Sequence, residues 1–106
     1  MEEYVQVVTT TEKREDAQKI AGTLVEKRLA GCVQILGPIT STYRWKGNVE
    51  TAEEWLVTIK TRKNLYSQVE EAIKATHPYE TPEIIAVPIT TGSREYLEWL
   101  NSELKK

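Results

Sequence analysis

A chain of 106 residues has room for one hydrophobic core and no second. It is 40% hydrophobic and 28% charged, the balance of a folded globular domain rather than a disordered segment. Fourteen basic against sixteen acidic residues leave a net charge of -2, which argues against a surface built for nucleic acid or anionic membrane.

Tyr4 to Thr9, rich in β-branched and aromatic residues, predicts a strand. Thr9-Thr10-Thr11-Glu12 then offers hydroxyl caps to a helix, with Glu12, Glu15 and Asp16 at its positive end. Ala17, Ile20, Ala21, Leu24 and Val25 recur at the spacing of one buried helical face. Lys27 and Arg28 suit the end of that helix and Gly31 its stop. Gly22 costs it up to about 1 kcal/mol relative to alanine, and close packing is the compensation expected there. Cys32 to Trp45 reads as a long strand with a bulge or bend at Gly37-Pro38, because proline donates nothing to a ladder. Lys46-Gly47-Asn48 is a turn, and Val49 to Thr61 returns with Trp55, Val57 and Ile59 alternating along one face. Asn64 is placed to cap a second helix whose apolar positions are Leu65, Val69, Ala72 and Ile73, and which ends at His77-Pro78. Glu83 to Thr90 predicts a strand around the buried run Ile84-Ile85-Ala86-Val87, and Ser93 opens a last helix carrying Tyr96, Leu97, Leu100 and Leu104.

The resulting order, β-α-β-β-α-β plus a terminal helix, is the α+β ferredoxin-like plan, an antiparallel sheet with two helices on one face, in a single domain over residues 1–106. A compact chain of this length is roughly 33 Å across, whereas a strand from Cys32 to Trp45 runs about 46 Å. The central hairpin must therefore overhang its domain, carrying Tyr43, Trp45 and Trp55 with it. Aromatic sheet edges of that kind invite another chain, so oligomerisation is expected.

The longest apolar runs are a few residues, far below the roughly 20 of a membrane-spanning helix. Met1-Glu2-Glu3 does not read as a signal peptide, and the single cysteine, Cys32, excludes an intrachain disulfide, so a cytoplasmic protein is expected. One cysteine and one histidine, His77, cannot build a zinc finger or a two-histidine metalloprotease site in one chain. The five glycines form neither a phosphate-binding loop nor a dinucleotide fingerprint, and no nucleophile-base-orienter set is visible, so no enzyme is expected.

Five segments occur in order: Arg28-Leu29-Ala30-Gly31-Cys32-Val33-Gln34, Tyr43-Arg44-Trp45-Lys46-Gly47, Ile59-Lys60-Thr61, His77-Pro78-Tyr79-Glu80-Thr81-Pro82-Glu83-Ile84 and Tyr96-Leu97-Glu98-Trp99-Leu100. With these the chain resembles the CutA family of divalent-ion tolerance proteins over nearly its whole length. The resemblance implies a ferredoxin-like fold, a homotrimer, and binding of divalent metal ions, Cu(2+) above all, in metal tolerance. Where some family members carry a cysteine near the end of the first strand, this chain reads Val8-Thr9-Thr10.

The metal ligands expected are His77, Glu80 and Cys32. Neutral imidazole suits copper and zinc, and thiolate suits Cu(I). Pro78 and Pro82 frame the loop of His77, Tyr79 and Glu80. Each residue also has a plain structural reading: His77 as a cationic cap on its helix, Cys32 as a small buried hydrophobe, and Glu80 and Glu83 as solvated surface. Lys60, Arg62 and Lys63 form the densest basic stretch, open to an anion or simply a solvated strand end. Two functions follow. One is a non-enzymatic homotrimer binding divalent metal. The other is a PII-like signalling trimer holding a small molecule or a partner protein in the clefts between subunits, an architectural analogy.

Overall fold

The computed structural model describes residues 2–106, so Met1 lies outside the described residues. Strand β1 (Tyr4–Thr11) leads into helix α1 (Arg14–Glu26), then the hairpin β2 (Cys32–Trp45) and β3 (Asn48–Arg62). One 3-10 turn, Lys63–Leu65, precedes helix α2 (Tyr66–Thr76), and β4 (Ile85–Ile89) and helix α3 (Arg94–Glu103) complete the chain. The sheet order is β2-β3-β1-β4 with every pair antiparallel, which is the expected ferredoxin-like arrangement.

Alternation divides the sheet into two faces. Val5 and Val7 of β1 and Val57 and Ile59 of β3 share the face under the helices, where Val7 pairs with Ile59. They meet Ala17, Ile20 and Leu24 of α1 and Val69 and Ile73 of α2, all buried. Val8, Leu36, Leu56 and Ile85 fall on the opposite face, where Leu36 is 63% and Ile85 50% exposed. Around Leu36, Leu56, Val8 and Ile85 this face carries an exposed apolar patch.

The pairing of β2 with β3 slips between Leu36 and Ile39, at Gly37-Pro38, as expected of a proline that cannot join the ladder. Beyond the slip the hairpin continues to a two-residue turn, with Lys46 (φ 51) and Gly47 (φ 85) both left-handed, the requirement of a type I′ turn. The molecule measures 44 × 25 × 22 Å, so the hairpin does extend the domain along one axis.

Several local expectations are corrected. Thr9, Thr10 and Thr11 do not cap α1: they continue β1 to the pair Thr11-Trp55, and Lys13 stands at the cap position without a side-chain bond. Asn64 does not cap α2 but sits in the 3-10 turn, accepting from Arg62 Nε at 3.2 Å. Val25 is 46% exposed, because five positions at helical spacing span a wider arc than the sheet covers. Gly22 permits no close approach, since a Cβ there would meet nothing within 4 Å. Gly31 does serve packing, with Leu100 Cδ1 2.5 Å from where a Cβ would stand. The run Ile84 to Val87 is not a buried strand. β4 starts at Ile85, lies at the sheet edge, and leaves Ile85 and Val87 about half exposed. Ser93 caps α3 as expected, accepting from the Tyr96 N–H at 3.2 Å.

Candidate functional site: the hairpin cleft and the His77 loop

His77 is the first residue beyond α2, held there because Pro78 bars helical geometry before it. It is 9% exposed. Its Nε2 lies 2.7 Å from the Thr10 carbonyl oxygen, which can only accept, so Nε2 carries the proton. Nδ1 accepts the Tyr79 backbone N–H at 3.1 Å. The ring therefore engages both nitrogens in its neutral form, and the reading of a cationic helix cap does not apply. Its lone-pair nitrogen faces the loop that carries Glu80.

The Tyr79 ring tilts against His77, with centroids 4.7 Å apart. Its hydroxyl donates to Glu54 Oε2 at 2.7 Å. Burial first, then the hydrogen bond and charge of Glu54, push the Tyr79 hydroxyl pKa well above its usual value. Glu54 stands on β3 directly opposite Ile39, where the hairpin slips, and is 6% exposed. Thr10, Glu54 and Tyr79 form one wall of a cleft of about 710 Å³ whose other wall is the distal hairpin, including Tyr43 and Trp45. Glu80 stands at its rim, 3.8 Å from Lys46 Nζ. That ammonium in turn lies 5.5 Å from the centroid of the Trp45 ring.

Of the three expected ligands, His77 and Glu80 share one loop and Cys32 does not join them. Cys32 is opposite Lys60, itself opposite Gln6 of β1. Thr10, the His77 partner, is four residues further along that strand, about 13 Å away at 3.3 Å per residue. Cys32 is half-buried and lies near Tyr96 of α3. Burial first, then Cys32, raises the Tyr96 pKa. Among the described residues, no three His, Cys, Asp or Glu side chains of one chain gather to hold a metal ion. The basic stretch is internally committed: Arg62 is buried and donates to Asn64, Asn101 and the Lys105 carbonyl. Lys60 donates to Gln34 at 2.6 Å, and Lys63 lies 3.7 Å from Glu3.

Sequence reasoning missed Glu54 and Thr10. Alternation on β3 puts Glu54 on the face away from the helices, which reads as solvent. It is buried because the loop from His77 to Glu83 folds across that face, and no local pattern encodes such a contact.

With this geometry in hand, comparison with known proteins is decisive about kinship. Residues 5–103 match the family described as CutA1 divalent ion tolerance protein. The chain belongs to that family. It is 48% identical over 100 residues to the divalent-cation tolerance protein CutA of Thermus thermophilus, an alignment covering 94% of this chain and 95% of the relative. It is 43% identical over 99 residues to the chloroplastic protein CutA of Arabidopsis thaliana, covering 93% of this chain and 54% of the relative, so it spans about half of that longer protein. The crystal structure of CutA1 from Oryza sativa superposes with a TM-score of 0.95 at 39% identity, covering 98% of this chain and 95% of that one. The ferredoxin-like expectation and the family resemblance are thus both correct. No described helix is long and apolar enough to cross a membrane.

Proposed function

We propose that this member of the divalent ion tolerance family works as a homotrimer, without a catalytic step, that binds divalent cations, Cu(II) foremost, at the His77–Glu80 loop. The observation that carries this reading is the hydrogen bond from His77 Nε2–H to the Thr10 carbonyl. Histidines that ligate metals almost always donate their other ring N–H to a carbonyl or carboxylate, which fixes tautomer and orientation. Here that leaves Nδ1 as the electron-pair donor, and a metal would displace one backbone N–H of a loop, a bond of about 1 kcal/mol. Imidazole nitrogen and carboxylate oxygen suit Cu(II) in the Irving–Williams order. His77 and Glu80 of one chain are too few ligands, so assembly of three chains is what would complete the set.

Calorimetric titration with Cu(II), the chain's N-terminus blocked, tests it. His77→Gln keeps an N–H that can reach Thr10 and removes the imidazole, and should weaken Cu(II) at least tenfold, about 1.4 kcal/mol. Glu80→Gln, which keeps an oxygen, should lose less. Parent-like affinity in a folded His77→Gln protein overturns the reading. A second reading, the PII-like trimer that holds a small molecule, is favoured by the open cleft of about 710 Å³ beside this loop.

A further inference from the structure

The His77 loop is fastened at more points than a metal ligand requires. The ring is fixed without help from the loop. The His77 backbone N–H donates to the Ile73 carbonyl at 2.9 Å, and Nε2–H donates to the Thr10 carbonyl at 2.7 Å. Those two bonds set the place and tautomer of the imidazole. Tyr79 adds two more. Its backbone N–H donates to His77 Nδ1 at 3.1 Å, and its hydroxyl donates to Glu54 Oε2 at 2.7 Å. The first of these occupies the lone pair that a metal ion needs.

The second keeps it occupied. Glu54 is 6% exposed on β3, and Leu56, two residues on, pairs with Thr10 of β1. The acceptor of the Tyr79 hydroxyl and the acceptor of Nε2–H thus stand on adjacent strands of one sheet. A tyrosine side chain has only two torsions, so its backbone cannot draw far from Nδ1 while the hydroxyl stays on Glu54. A hydroxyl bound to a carboxylate is also held roughly twice as strongly as a neutral pair. Each of these bonds lies within one chain, so none depends on how neighbouring subunits cover the hairpin.

We propose that Tyr79 and Glu54 form a latch that holds the Tyr79 N–H on Nδ1 and so lowers the affinity of His77 for divalent cations. The latch rests on the metal reading of the loop and adds how that site is regulated. To free Nδ1 the loop must draw back, and the bond to Glu54 is strained or given up in the same movement. Glu80 travels with it, since it follows Tyr79 directly. Affinity is reduced by the fraction of time for which the lone pair is free. Removing the hydroxyl takes one bond from the closed loop alone, so the free fraction and the affinity rise together. A purely orienting role for Tyr79 has the opposite sign, because its loss would then loosen the ligand.

The test is calorimetric titration with Cu(II), the N-terminus blocked, of the parent, Tyr79→Phe and His77→Gln. Tyr79→Phe keeps the ring and the backbone N–H and loses only the tether. It should bind Cu(II) about fivefold more tightly, the worth of one hydrogen bond. Unchanged or weaker binding by Tyr79→Phe, with His77→Gln weakened, overturns the latch and keeps the metal reading. Parent-like binding by His77→Gln overturns both. Nitrogen NMR of the isotope-labelled parent gives a second measurement that needs no variant. In metal-free protein a scalar coupling through the hydrogen bond should link the Tyr79 amide nitrogen to His77 Nδ1, and saturating Zn(II), a diamagnetic stand-in for Cu(II), should abolish it. No coupling in the metal-free protein, or a coupling that survives saturating Zn(II), overturns the latch.

Discussion

The Tyr79 hydroxyl donates to Glu54 inside the wall of the cleft, and burial together with that carboxylate makes the neutral phenol the favoured form. Tyr4 and Tyr66 shift the same way, in each case chiefly through burial. The linkage has a definite sign. A tyrosine whose folded pKa exceeds its unfolded value near 10 contributes stability that is fully present below that value and lost as pH rises through the folded one. Stability should therefore fall above about pH 10, and Tyr79→Phe should flatten the fall while costing about 1–3 kcal/mol at neutral pH by removing a donor from a buried carboxylate. Urea melts of both proteins at pH 8 and about pH 10.5 measure this. The same alkaline loss in parent and variant would show that Tyr79 is not its source.

Helix α1 carries the element-scale prediction. Gly22 lies mid-helix and exposed, with nothing within 4 Å of a Cβ and no positive φ. Gly22→Ala should stabilise by about 0.5–1 kcal/mol through helix propensity and a less free unfolded chain. A denaturant midpoint that falls instead would mean that the glycine meets another subunit. The contrast with Gly31, pressed against Leu100, is one that spacing alone did not reveal. Strand and helix order was legible because β-branched runs, Pro78 and Ser93 act locally. Burial was legible only where a face is wide. The alternation of Val57 and Ile59 located the core, but the same logic made Ile85 a core residue, although β4 pairs on one side only and leaves it half exposed. At the site, Pro78 and Pro82 marked the loop. The bond between Tyr79 and Glu54 joins residues 25 apart, and nothing in either neighbourhood announces it.

At the scale of the molecule, the 44 Å axis and the open sheet face belong to one problem. Leu36, Ile85 and Val87 are 48–63% exposed, and Val8 and Leu56 lie between Leu36 and Ile85 on the same face. An apolar sheet face of this extent is costly in water, at about 25 cal/mol per Å², and contiguous patches of this kind mark interaction surfaces. The overhanging hairpin adds Tyr43 and Trp45, both more than a third exposed. A homotrimer that covers the face and grips the hairpin removes both liabilities, and it brings three copies of the His77 loop into one particle. Light scattering should then give three times the chain mass, 12.1 kDa. Because subunits that bind only folded partners link assembly to folding, the melting midpoint should rise with protein concentration. Leu36→Lys places a charge in the centre of the proposed interface without touching the helix-facing core. It should shift the protein toward monomer and lower the midpoint, since a buried unpaired charge costs several kcal/mol. Gln18→Lys, on the exposed side of α1 away from both the face and the hairpin, controls for charge alone. A parent that is monomeric at micromolar concentration, or a Leu36→Lys variant that assembles as the parent does, would leave the open face without its proposed partner and take the shared metal site with it.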